Sequence, residues 1–130
     1  AAAGVQVIPK IESQHGIIAL SSILKAFPIV LLGRGDLMLE TGPVDYYKWE
    51  SLALEAARQA RAFVILGTEL LTASSSRIVA HRSEVSYLAQ LAALGHTGFM
   101  LSDETSVGVD PIRSVELLRA LIDAYGPRVH

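Results

Sequence analysis

Ile29-Val30-Leu31-Leu32-Gly33, followed at once by Arg34-Gly35-Asp36, is the stretch on which the fold turns. Apolar residues without polar alternation, closed by a glycine, read as a strand buried on both faces. A carboxylate, Asp36, comes directly after it. Three further runs share this form: Val5-Gln6-Val7-Ile8-Pro9, Ala62-Phe63-Val64-Ile65-Leu66-Gly67 and Gly98-Phe99-Met100-Leu101. A loop from the first run reaches Gly16, and a helix is expected from Ile17 to Lys25. Pro43 and Asp45 introduce a second helix, from about Tyr46 to Arg61, with Leu52, Leu54, Ala56 and Ala57 among its apolar positions. After the polar stretch Thr72 to Arg77 a third runs near Ser83 to Leu94. Pro111 opens the last, which carries Val115, Leu117, Leu118, Leu121 and Ile122. Strands of this kind separated by amphipathic helices predict an α/β fold, with parallel strands covered by helices.

Polar chemistry recurs at one place in each unit. Lys10 and Glu12, Gly35 and Asp36, Thr68 and Glu69, then Ser102 and Glu104 all follow the expected strands. Side chains two apart on a strand share a face, so Lys10 and Glu12 point the same way. If the first two strands are parallel neighbours, Glu12 and Asp36 meet at one rim with Lys10 beside them. In parallel α/β barrels the active site lies at that C-terminal rim. Two hard oxygen ligands plus a cation suit a divalent metal holding an anionic oxygen substrate. The plainer readings are an ordinary strand-end ion pair for Lys10 and Glu12, a cap or turn role for Thr68, and a tie to a neighbouring loop for Arg34. Glu69 is either a rim residue or an added metal ligand or base. Ser102 has no evident His base, which argues against a nucleophile. His15, His81, His96 and His130 have no zinc-ligand spacing. The Arg34-Gly35-Asp36 triplet ends an apolar strand and reads as a rim turn, not an adhesion motif. Tyr46, Tyr47 and Trp49 are expected to pack or to form an interface.

The 130 residues suffice for one compact domain, and 51% apolar against 18% charged residues is a core-forming composition. A net charge of -2 gives no electrostatic case for nucleic acid. There is no cysteine, so disulfides and thiolate sites are excluded. No run approaches the roughly 18 apolar residues of a membrane helix, and Ala1-Ala2-Ala3-Gly4 lacks the form of a signal peptide. A cytoplasmic protein that binds neither nucleic acid nor membrane is the expectation.

Four segments also resemble the pyruvate kinase family. Lys10-Ile11-Glu12-Ser13-Gln14-His15-Gly16 is similar to its K-I-E-N-x-x-G. Gly33-Arg34-Gly35-Asp36-Leu37 with Glu40 is similar to A-R-G-D-L-G-x-E. Gly67-Thr68-Glu69-Leu70-Leu71 is similar to A-T-Q-M-L. Met100-Leu101-Ser102-Asp103-Glu104-Thr105, with Gly108 and Pro111, is similar to M-L-S-G-E-T-A-x-G-x-x-P. His81-Arg82-Ser83-Glu84-Val85-Ser86 stands where the family has T-R-A-E-V-S. Departures are Glu69 for the family's glutamine, Ala80-His81 for its Pro-Thr, and Phe27-Pro28 for an expected aspartate.

The resemblance implies four consecutive βα units forming the second half of a TIM-type (β/α)8 barrel. It implies a magnesium ion, or manganese, on Glu12 and Asp36. It makes Lys10 and Thr68 catalytic: Lys10 neutralises the transferring phosphoryl group, and Thr68 belongs to enol protonation. Arg34, Gly35, Asp36, Thr68, Ser102 and Glu104 form the substrate set, in which the Gly35 and Asp36 amides with the Thr68 hydroxyl hold the carboxylate of phosphoenolpyruvate or pyruvate. The implied function is binding of an oxoacid or enol phosphate with stabilisation of an enolate, and phosphoryl transfer where a partner supplies the other half. The alternatives are a repurposed lyase or biosynthetic enzyme working on another substrate and a non-catalytic assembly module. Half a barrel exposes strand edges and an apolar face. Covering several hundred Å² at ~25 cal/mol per Å² is worth several kcal/mol, so a homo-oligomer, such as a homodimer, or a complementary half-barrel chain is expected.

Overall fold

The computed structural model describes residues 4–75 and 80–128. Ser76 and Arg77 of the polar stretch, Ala1 to Ala3 and His130 lie outside them. The chain divides into two compact units, Ala1–Leu66 and Gly67–His130.

The first unit holds β1 (Lys10–Ile11), α1 (Gln14–Ile18), α2 (Leu20–Ala26), β2 (Ile29–Gly33) and α3 (Arg34–Gln59), and β3 (Phe63–Gly67) ends at its boundary. β2 forms where the uninterrupted apolar run predicts it, and Val30 and Leu32 are buried. β1 pairs with it in parallel, Lys10 opposite Leu31 and Ile11 opposite Leu32. β3 lies on the other side of β2. Both α1 and α2 pack on α3.

Four expectations are corrected here. The first strand is not Val5 to Pro9. Pairing begins only where Leu31 N–H donates to the Pro9 carbonyl at 2.9 Å, and Val5, Val7 and Ile8 lie exposed. An apolar run without a partner strand has nothing to hold it extended. Ile17 to Lys25 is not one helix. Ser13 caps α1 by accepting from Gly16 N–H at 3.0 Å, so the helix starts early and Gly16 falls inside it. The axis then breaks at Ala19, which is both the C-cap of α1 and the N-cap of α2. The break leaves Ile18 outside while Ile17, Leu20 and Leu24 are buried. The Arg34-Gly35-Asp36 triplet is not a rim turn, because α3 starts at Arg34 with no loop between. The helix expected at Tyr46 is the second limb of α3, which is interrupted at Gly42 (φ 77°, ψ 165°) and restarts at Pro43. Glycine admits that backbone, and proline is suited to a helix start.

The second unit holds a 3-10 turn (Thr72–Ser75), α4 (Arg82–Ala93), β4 (Thr97–Met100), α5 (Asp103–Ser106) and α6 (Pro111–Tyr125). α4 packs on α6 through a core that includes Leu88, Leu91, Leu118 and Leu121. Asp110 caps α6 by accepting from Arg113 N–H at 3.0 Å, with Pro111 at the first helical position. The short α5 was not anticipated; it packs on both the 3-10 turn and α6. Strands alternate with helices along the whole chain, so the α/β class holds. No described helix is long and apolar enough to cross a membrane.

Candidate functional site

The first cluster arises from strand geometry. Lys10 and Glu12 do share a face, and Lys10 Nζ lies 2.7 Å from Glu12 Oε2. Half the Lys10 side chain remains exposed, while Oε2 of Glu12 is sealed from solvent with the Lys10 ammonium against it. Glu12 holds the Lys10 ammonium above its ordinary value, by hydrogen bonding and by charge, and Asp36 adds to this. Lys10 in turn holds the Glu12 carboxyl below its ordinary value against the opposing effect of burial, and the Asp36 carboxyl acts in the same direction. Asp36 is thus close enough to act on both members of the ion pair. Gly33 makes room for them: a Cβ there would stand 3.0 Å from Glu12 Cβ, Glu12 Oε2 and Lys10 Cε.

Asp36 occupies the first turn of α3, directly after β2. The first N–H groups of a helix have no intrahelical partner and carry the positive end of the dipole. Gly35 and Asp36 carry two of them, directly after β2. Such amides suit a carboxylate or phosphate. The first limb is further tied down by Gln14 N–H, which donates to Glu40 Oε1 at 3.2 Å, and by Leu37, which is fully buried.

Arg34 has partners that sequence reading missed. Its Nε donates to Tyr46 Oη at 3.2 Å and stands 3.7 Å from Glu50 Oε2. Tyr46 O–H donates to Glu50, whose side chain is buried. Burial first, then the adjacent Glu50 carboxylate, push the Tyr46 hydroxyl well above its ordinary value, against the smaller opposing effect of Arg34. The signal was present in part: Tyr46 and Glu50 are four apart, on one helix face.

The remaining candidates belong to the second unit. Thr68 and Glu69 follow β3 with φ of 76° and 52°, a left-handed backbone uncommon outside glycine. Leu70 and Leu71 behind them are buried. Glu104, only 1% exposed, accepts from Leu71 N–H at 2.8 Å and from Ser102 N–H at 2.7 Å, with Ser102 Oγ at 3.3 Å. Burial raises its carboxyl, but these backbone donors and the Ser102 hydroxyl outweigh it and hold the group below its ordinary value. Glu104 is therefore a fixed anion that joins the Thr68 loop to the turn before α5. Lys10, Glu12, Gly35 and Asp36 form one set, and Thr68, Ser102 and Glu104 lie in the other unit.

The first set fits a divalent cation of the hard, oxygen-seeking kind. Glu12 and Asp36 offer two carboxylates, with the Glu12 Oε2 oxygen now taken by the Lys10 ammonium, and fall short of a full protein cage: no group of three His, Asp or Glu residues able to hold a metal exists among the described residues. Magnesium is commonly held in this manner, by one or two carboxylates with water and substrate oxygens completing the shell.

Residues 1–115 match the family described as pyruvate kinase, barrel domain. Curated relatives include the pyruvate kinase of Chlamydia pneumoniae, 29% identical over 89% of the chain and 24% of that protein. The pyruvate kinase of Mycoplasma genitalium is 32% identical over 92% of the chain and 24% of its own length, and that of Corynebacterium efficiens is 33% identical over 91% and 25%. The chain spans about a quarter of the length of these relatives. With its motifs in order and its charged residues gathered at the end of β1 and the start of α3, the chain belongs to the pyruvate kinase barrel-domain family.

Proposed function

We propose that this chain forms the second half of a pyruvate-kinase-like (β/α)8 barrel and binds magnesium together with phosphoenolpyruvate, pyruvate or a similar 2-oxoacid. The Lys10–Glu12 ion pair at the Gly33 gap, with Asp36 acting on both groups, supports the reading. Glu12 and Asp36 would hold the cation, which when bound supplies Lewis-acid stabilisation of oxygen charge. Each of this chain's own groups has a separate task. The Gly35 and Asp36 amides, at the positive end of α3, orient the substrate carboxylate. The Lys10 ammonium neutralises charge that grows on the enol oxygen or the phosphoryl group as the reaction proceeds. The Thr68 hydroxyl serves protonation of the enol carbon, and Ser102 and Glu104 support the loop that presents it. The grip on nucleotide and phosphate comes from the other four βα units, from a complementary chain, a second copy or the rest of a longer polypeptide.

Isothermal calorimetry with Mg2+ and oxalate, an enolpyruvate mimic, tests this. Wild type is expected to bind oxalate only with the metal present, and Asp36→Ala is expected to abolish that dependence. Lys10→Met is expected to leave affinity for Mg2+ alone nearly intact while weakening oxalate at least several-fold, because it removes a charge-assisted contact worth about 1.5–3 kcal/mol. Binding by Asp36→Ala equal to wild type would contradict the assignment.

A further inference from the structure

The Arg34–Tyr46–Glu50 network has no place in the chemistry just described, although it begins two residues before Asp36. Its location sets it apart from an ordinary buried ion pair. α3 is two limbs joined at Gly42, and Pro43 has no N–H to donate across the joint. A short isolated helix is marginal in water, so the limb that carries the Gly35 amide and Asp36 depends on side-chain anchors for its position. Leu37 anchors it by burial, and the exposed Gln14–Glu40 bond adds little. Arg34 is the anchor at the site end. It opens the first limb, and its guanidinium reaches over the joint to Tyr46 and Glu50 on the second. The charge of Arg34 is thereby compensated inside the protein, and the direction of the helix start is fixed with it.

We propose that Tyr46 and Glu50 are positioning residues: by holding Arg34 they set the first turn of α3, and hence Asp36 and the Gly35 and Asp36 amides, in the orientation that receives the metal and the substrate carboxylate. The proposal rests on the binding function above for its consequence in affinity, but its structural core can be measured without ligand.

The experiment combines residue-resolved amide exchange with calorimetry on the full chain, comparing wild type, Tyr46→Phe and Glu50→Gln. Phenylalanine keeps the ring and removes the hydroxyl that joins the two limbs. Exchange at 37–41 is expected to accelerate about tenfold relative to 47–59, the scale of one lost hydrogen bond to a charged group, and oxalate affinity in saturating Mg2+ should fall by a similar factor. Glu50→Gln keeps an acceptor for the Tyr46 hydroxyl but removes the carboxylate that compensates Arg34, and is expected to move both readouts in the same direction as Tyr46→Phe and by at least as much. Equal acceleration in both limbs, or none, overturns the proposal, since a network that merely adds stability would move them together. Failure of wild type to bind oxalate would sink the binding function alone; the exchange comparison would still decide the role of Tyr46 and Glu50.

Discussion

Glu104→Gln is the most direct probe of how the second unit is held. The substitution is nearly isosteric, so it leaves no cavity, but it turns one carboxylate oxygen into an NH2 group. Both oxygens face backbone donors, Leu71 N–H at 2.8 Å and Ser102 N–H at 2.7 Å. Whichever way the amide turns, a donor meets a donor. One hydrogen bond to a charged group is lost, about 1.5–3 kcal/mol, and the buried N–H it served goes unsatisfied. The bond that survives becomes neutral and weaker. The expected loss is ~2–4 kcal/mol, a large part of the 5–15 kcal/mol that typically separates folded from unfolded states. Urea unfolding at neutral pH, followed by far-UV circular dichroism, reads it. The pH dependence supplies a second check. Because the Glu104 carboxyl lies below its ordinary 4.5 in the folded protein, its stabilisation is complete above that value and is lost as pH falls through the depressed one. The variant should therefore lose less stability than wild type on acidification. A loss under about 0.5 kcal/mol, the range of ordinary surface changes, would refute the clamp.

Two further substitutions probe close packing. Gly33→Ala puts a methyl 3.0 Å from Glu12 Oε2 and Lys10 Cε, so the ion pair must shift by a few tenths of an ångström. Titration with Mg2+ and oxalate is expected to show affinity down several-fold, while stability in urea changes by less than about 1.5 kcal/mol; unchanged affinity would mean the gap is not part of the site. Gly108→Ala brings a Cβ within 2.3 Å of the Glu104 carbonyl oxygen, a clash with backbone that cannot rotate away. It should cost about 1–3 kcal/mol in thermal or urea unfolding, and a neutral result would show that the α5–α6 connection moves freely.

Sequence revealed the parts of this molecule that depend on neighbours in the chain. β2 and the Lys10–Glu12 face follow from apolar runs and a two-residue period. What it concealed depends on partners brought by folding. Val5 and Val7 are as strand-like as Val30, but only Val30 lies in a paired, buried strand. The first limb of α3 contains Gly35 and ends at Gly42, poor helix formers both, yet it is helical, with Leu37 buried and Arg34 bonded to Tyr46 in the second limb. Glu104 could be read as polar and near a strand end. That one of its oxygens serves an amide 33 residues away could not be read, because nothing in local spacing points to Leu71.

The pair Thr68 and Glu69 has an evolutionary consequence. Two consecutive left-handed residues that are not glycine cost on the order of 1–3 kcal/mol each, and for β-branched Thr68 the penalty is steepest. Glycine at 68 would relieve it in a single step. A library screened only for heat resistance should return Thr68→Gly among its early winners, and those winners should be poor at retaining oxoacid. On the role proposed for Thr68, robustness and chemistry would pull this corner in opposite directions.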